Sequence, residues 1–126
     1  MKIKLLQLAD SNEVLGQLNN THGLSAVCAF SISKNIKKIV TELEVYNETR
    51  IKILEEKANK DEDGKAIIVD EQYQLTNENL VKANNEIQTL LNSDIDLDLT
   101  KISIEDLNNA DLTPAQLSLI DYMIKE

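Results

Sequence analysis

The one spacing in this chain that resembles a ligand loop is Asn59-x-Asp61-x-Asp63-Gly64, followed by Asp70. A calcium loop of the EF-hand type needs oxygen ligands at alternating positions, a glycine at the sixth for the turn and a bidentate glutamate at the twelfth. Here Asn59 holds the first position, Ile67 the ninth and the shorter Asp70 the twelfth, and no second loop exists to pair with it. Those departures predict a solvated Asp-Gly turn that ends a long helix. Asn59, Asp61, Asp63 and Asp70 are then only a weak calcium-like pattern, and no metal or other cofactor is expected.

A second set of carboxylates, Asp94, Asp96 and Asp98, alternates with Ile95, Leu97 and Leu99. Alternation of this kind predicts a half-buried strand, with the aspartates about 7 Å apart along its outer face from a rise of roughly 3.4 Å per residue. That separation is too large for two carboxyls to share a proton as a catalytic dyad. Two readings remain: an edge strand kept from aggregating by its charges, or a negative stripe that docks a basic partner.

Arg50 and Lys57 interrupt an otherwise apolar helical seam, where long stems can snorkel with their heads in water. Alternatively Arg50 meets a carboxylate or a bound anion, with Glu42, Glu44 and Glu48 beside it and Glu78 or Glu86 across a hairpin. His22 is the only histidine and Cys28 the only cysteine, so the usual zinc sets are excluded. His22 reads as a surface turn residue. Cys28, among Ala26, Val27, Ala29 and Phe30, reads as a core residue. Gly16, Gly23 and Gly64 are too scattered for a phosphate loop, and no nucleophile-base pattern is visible, so the chain is not expected to be an enzyme.

The chain has 126 residues, which predicts one domain, 1–126. Its formal charge of -9 lies in the second half: residues 61–126 carry four lysines against fifteen acids, while residues 24–60 carry seven cations against five glutamates. Such a field disfavours direct nucleic-acid binding and anionic membranes, and favours either a basic protein surface or simple solubility. Trp is absent and Phe30 is the only phenylalanine, so aromatic stacking surface for bases or sugars is scarce. A lone cysteine fits a reducing compartment, and neither a leader nor a run of 18 apolar residues is evident; a cytoplasmic protein is expected.

The elements follow from periodicity. Lys2–Leu8 reads as a strand, Asp10 as the cap of a short helix with Glu13 three residues on, and 19–23 as a turn. From 24 to 60, Ile32, Ile36, Ile39, Leu43, Tyr46, Arg50, Ile53 and Lys57 recur at threes and fours, one seam of a helix roughly 45 Å long at about 1.5 Å per residue. Tyr73, Thr76, Leu80, Ala83, Ile87 and Leu90 repeat that spacing and predict a partner helix over 71–92. Residues 66–69 are a short strand or arm. Residues 94–99 pair with the first strand, Ser103 caps a brief helix, and Thr113-Pro114-Ala-Gln116 starts the last one, with Leu117, Ile120 and Ile124 on the core. The fold class is mainly α (α+β): a long antiparallel helical hairpin with a small β-sheet at its base and short C-terminal helices.

With Ala29-Phe30, Lys34-Asn35, Tyr46-Asn47, Arg50, Asp61-Glu-Asp-Gly64 and Leu112-Thr-Pro114 in place, the chain resembles a group of small acidic proteins encoded by bacteriophages and prophages of Gram-positive hosts. The resemblance covers most of 24–124 and implies a setting in the host bacterial cytoplasm. It implies no activity for any residue. The expected function is that of a non-catalytic accessory protein acting stoichiometrically on a host defence or replication component, with Asp94, Asp96, Asp98 and Arg50 as candidate contacts. Alternatives are an oligomeric assembly or virion-associated protein, and a small-ligand or metal binder.

Overall fold

The computed structural model describes residues 1–125 and is mainly helical. Four strands and four α-helices follow in the order β1 (Lys2–Lys4), α1 (Leu5–Asn19), α2 (Ala26–Lys57), β2 (Ile68–Val69), β3 (Gln72–Tyr73), α3 (Asn77–Leu91), β4 (Asp94–Asp96) and α4 (Pro114–Leu119). The 3-10 helices Ile104–Ala110 and Asp121–Met123 flank α4. Two compact units result: residues 1–43 with 94 onward, and residues 44–93. Helix α2 gives its first half to one and its second half to the other.

The first unit holds most of the core: Ile3, Leu5, Leu8, Val14, Leu15, Leu18, Ile32, Ile39, Leu97, Leu99, Ile102, Ile120 and Met123 are buried. Its sheet is β1 antiparallel to β4, with Ile3 opposite Ile95, as the alternating pattern predicts. The strand expected over Lys2–Leu8 ends early, however, and Asp10 is not a cap but lies inside α1. The cause is the spacing Leu5, Leu8, Ser11, Val14, Leu15, Leu18, which buries one helical face starting from Leu5. Lys4 occupies the cap position, and its N–H donates to Gln7 Oε1 at 3.1 Å.

Helix α2 begins where Ser25 Oγ accepts from the Cys28 N–H at 3.2 Å. Within this unit it buries Cys28, Ile32, Asn35 and Ile39. Asn35 is the polar member of that set, only 1% exposed, and its amide meets one backbone residue twice: Nδ2 donates to Thr100 O at 2.8 Å, and Oδ1 accepts from Thr100 N at 2.9 Å. The chain beyond β4 is thereby bound to α2 as if by a neighbouring strand. Further on, Ile102 N donates to Met123 O and Lys125 N to Ile102 O, a parallel bridge between Ile102 and Ile124. Inside the core, the Ser11 and Tyr122 hydroxyls stand 2.7 Å apart. Burial pushes the Tyr122 phenol above its ordinary pKa, with the Ser11 hydrogen bond pulling the other way.

Thr113 caps α4 as its sequence predicts: Thr113 Oγ1 accepts from Gln116 N at 3.2 Å, and Thr113 N donates to Gln116 Oε1 at 2.9 Å. The helix is shorter than Leu117, Ile120 and Ile124 suggested. It gives way to the 3-10 helix Asp121–Met123, which turns Tyr122 and Met123 inward and leaves Ile124 half-buried.

The second unit joins the end of α2 to α3 as the expected antiparallel hairpin. Its buried apolar set is thin, consisting of Ala58, Ala83 and Leu91. Lys57 Nζ meets Glu86 at 3.1 Å, and Asn79 Nδ2 donates to Lys57 O at 3.1 Å. Helix α3 starts at Asn77 and not at 71, because Thr76 Oγ1 accepts from Asn79 N at 3.1 Å and ends the preceding turn. Tyr73 lies outside the helix, in β3. Strands β2 and β3 pair across a two-residue turn, Asp70-Glu71, whose φ angles are +51° and +66°. Turns of that kind favour Asn-Gly because an L side chain resists positive φ.

Two stability measurements follow. Asn35→Ala removes both part-buried hydrogen bonds to the Thr100 backbone, and should lower unfolding free energy in urea by about 1–3 kcal/mol, from roughly 0.5–1.5 kcal/mol per hydrogen bond. A change under about 0.5 kcal/mol would mean that water replaces the amide. Glu71→Gly relieves the second positive φ and should raise stability by about 1 kcal/mol, from a left-handed cost of roughly 1–2 kcal/mol. A lower melting temperature would contradict the strained-turn account.

Candidate functional site

Of the four residues in the calcium-like pattern, Asp61 is committed to its own backbone: Oδ1 accepts from Asp63 N at 2.9 Å and from Lys65 N at 3.0 Å. Asp61 N also donates to Lys65 O, and Gly64, at φ +79°, supplies the left-handed step of this turn. Asn59 lies in a pairing segment, its N–H donating to Gln74 O and its carbonyl accepting from Ile67 N. Asp70 sits in the next turn, between β2 and β3. The pattern thus folds as two successive turns and not as one loop around a centre. Among the described residues no group of three or more His, Cys, Asp or Glu side chains is arranged to hold a metal ion.

Asp94, Asp96 and Asp98 all project outward. Their neighbours are cations. The register sets Lys4 opposite Asp94 and Lys2 opposite Asp96, and the N-terminal ammonium reaches Asp96 Oδ1 at 3.2 Å. Lys38 Nζ donates to the Asp98 carbonyl. Directly opposite charges on a strand pair lie close enough to compensate one another, so this stripe is an alternating field more than a negative one.

Arg50 lines a cleft of about 460 Å³ in the second unit, together with Ile51, Leu54, Tyr73 and Leu80. The carboxylates expected to face it across the hairpin are engaged elsewhere: Glu86 pairs with Lys57, and Glu78 with Lys82 at 3.3 Å. Glu71, also lining the cleft, is the acid the structure brings into its company.

Cys28 is buried, with Sγ 3.9 Å from the Asp106 carbonyl. Burial, and secondarily the Asp106 charge, push its thiol above the ordinary value. A raised thiol is a weak nucleophile near neutrality, and the residue is buried as expected, on the helical face it shares with Ile32, Asn35 and Ile39. His22 is exposed in the turn before α2.

The residues that sequence reading missed are Val27 and Phe30. Read as part of an apolar cluster around Cys28, they are in fact 79% and 66% exposed. The signal was angular. At about 100° per residue, Phe30 stands about 160° around the helix from Cys28, on the side away from Ile32, Asn35 and Ile39. Ala26 and Ala29 are exposed beside them, and Lys34 Nζ stands 5.3 Å from the Phe30 ring centroid. Lys34, Lys37 and Lys38 are exposed as well, and no acid occurs from Leu24 to Thr41. The first four turns of α2 therefore carry an outward face that is apolar at its start and cationic along its length.

Among the described residues no helix is long and apolar enough to cross a membrane. Compared with protein-family models, curated proteins and solved structures, the chain matches none.

The state of Cys28 has a direct check. Because its folded pKa is raised, less thiolate is present at any pH below that value than in the unfolded chain, and access is closed too. Iodoacetamide at pH 8 should label the native protein at least about tenfold more slowly than the urea-unfolded protein. Equal rates would place the thiol at the surface.

Proposed function

We propose that this chain is a non-catalytic, phage-encoded protein that binds a host protein stoichiometrically, through the outward face at the start of α2. The observation that carries the reading is Phe30, the only phenylalanine, held in water beside Val27 on a regular helix. Burying such a side chain is worth about 1.5–3 kcal/mol, which this fold forgoes and a partner can recover. Phenylalanine is among the residues enriched at the buried cores of protein contacts. The phage and host-cytoplasm setting rests on the resemblance of the sequence alone.

A second reading, assembly into an oligomer or a virion, is favoured by a different observation. Val45, Ile51, Ile68, Val69, Leu80 and Val81 are exposed on the second unit, whose buried set is small. Subunit contacts would cover such side chains.

Tagged protein and its Phe30→Asp variant, both verified as folded by circular dichroism, separate the two. In nuclease-treated lysate of a Gram-positive host, with and without infection, the parent should retain one host protein at near-equal molar amount, and Phe30→Asp should retain at least about tenfold less, a change worth roughly 1.4 kcal/mol. Recovery of phage structural proteins alone, unaffected by Phe30→Asp, would replace this reading by assembly.

A further inference from the structure

We propose that the outward face of α2 from Ala26 to Lys37 takes an acidic protein segment that carries an apolar residue at its centre. This rests on the protein-binding reading above and names the chemistry of the partner. The face has an apolar head, Val27 and Phe30, followed on the same side of the helix by Lys34 and Lys37. At about 100° per residue, Ala26, Val27, Phe30, Lys34 and Lys37 fall within one arc of about 100°. Cys28, whose Sγ lies against the Asp106 carbonyl, points to the opposite side of the helix, and the Asp98 carbonyl is met by Lys38 at the margin of this face. Lys34 already stands over the Phe30 ring, which keeps an ammonium at the edge of the apolar contact. A partner that fills the Val27–Phe30 step with an apolar side chain and brings carboxylates to its rim meets both features.

Three other occupants fit less well. A second copy docking through the same face would set Lys34 and Lys37 against like charges. Nucleic acid would find two lysines on the face, but its phosphates would meet a chain of net charge -9. An anionic membrane is an extended plane, so it would also confront the rest of the first unit, where acids outnumber lysines eleven to five. A protein segment touches only the local face, and the charges beyond it are screened over roughly 8 Å at physiological salt.

The test replaces Val27 by the photocrosslinker p-benzoylphenylalanine in the full chain, expressed in an infected Gram-positive host, and sequences the crosslinked peptide by mass spectrometry. The expected product is a partner peptide in which Asp and Glu outnumber Lys and Arg and at least one Leu, Ile, Met or aromatic residue is present. Its yield should fall at least about tenfold when Lys34→Glu and Lys37→Glu are introduced together, since like charges then face each other. A basic or neutral peptide, a second copy of this chain, a lipid adduct, or no adduct at all would overturn the proposal. A yield indifferent to the lysine reversal, or restored by adding positive charge elsewhere on the surface, would do so as well. The two readings fail separately: a partner lost with Phe30→Asp but kept with Lys34→Glu and Lys37→Glu leaves protein binding standing and removes the acidic partner.

Discussion

Beyond the end of β4, where no strand continues the ladder, the Thr100 N–H and C=O turn toward the buried face of α2. Part-buried backbone groups left without partners at this point would cost stability. Asn35 removes that cost with one side chain, offering a donor and an acceptor at 2.8 and 2.9 Å in the geometry of a strand neighbour. Register follows from it. With Thr100 fixed, Leu97, Leu99 and Ile102 point inward while Asp98 stays in water. A slip by one residue would exchange those faces, putting Asp98 into the core and two leucines outside. Ile102 so placed then receives the last segment, through its bridge to Ile124. The closing of the first unit therefore depends on an amide in the middle of a helix.

Much of this architecture can be read in the sequence, where the pattern had only one geometric meaning. The three-four seam of α2 runs too long to be anything but a helix, and Thr113-Pro114 with Gln116 satisfies the cap chemistry at each of its positions. Errors arise where two periods fit the same residues. Leu5 continues the strand alternation begun at Ile3 as well as it begins the helical face of α1, and burial of Leu8 and Ser11 at threes decides for the helix. Tyr73 and Thr76 happen to match the spacing of α3, yet they precede it. The turn that separates them from β2 uses Asp70 and Glu71 at positive φ, without the glycine that would have announced it.

Charge was a poorer guide to the candidate site than angle. Three aspartates in alternation look like a negative stripe when only their own strand is counted. Pairing with β1 brings Lys2, Lys4 and the N-terminal ammonium to the same face, which no linear reading of 94–98 contains. Phe30 is the reverse case. Its apolar neighbours suggest a core cluster, but the buried set Cys28, Ile32, Asn35 and Ile39 defines one side of α2, and Phe30 falls on the other. Asn35 carries the same lesson, since its place three residues after Ile32 and four before Ile39 already puts it inside.

An exposed phenylalanine and a net charge of -9 are compatible within one molecule because they act over different ranges. Net charge repels like copies in solution through a field that decays over a Debye length of roughly 8 Å. Burial of Val27 and Phe30 is a contact effect, felt only when surfaces meet and water leaves between them. The acids concentrated after residue 60 act through that field and leave the start of α2 to contact effects. No acid occurs from Leu24 to Thr41, and a carboxylate beside Phe30 would oppose any desolvation of that side chain.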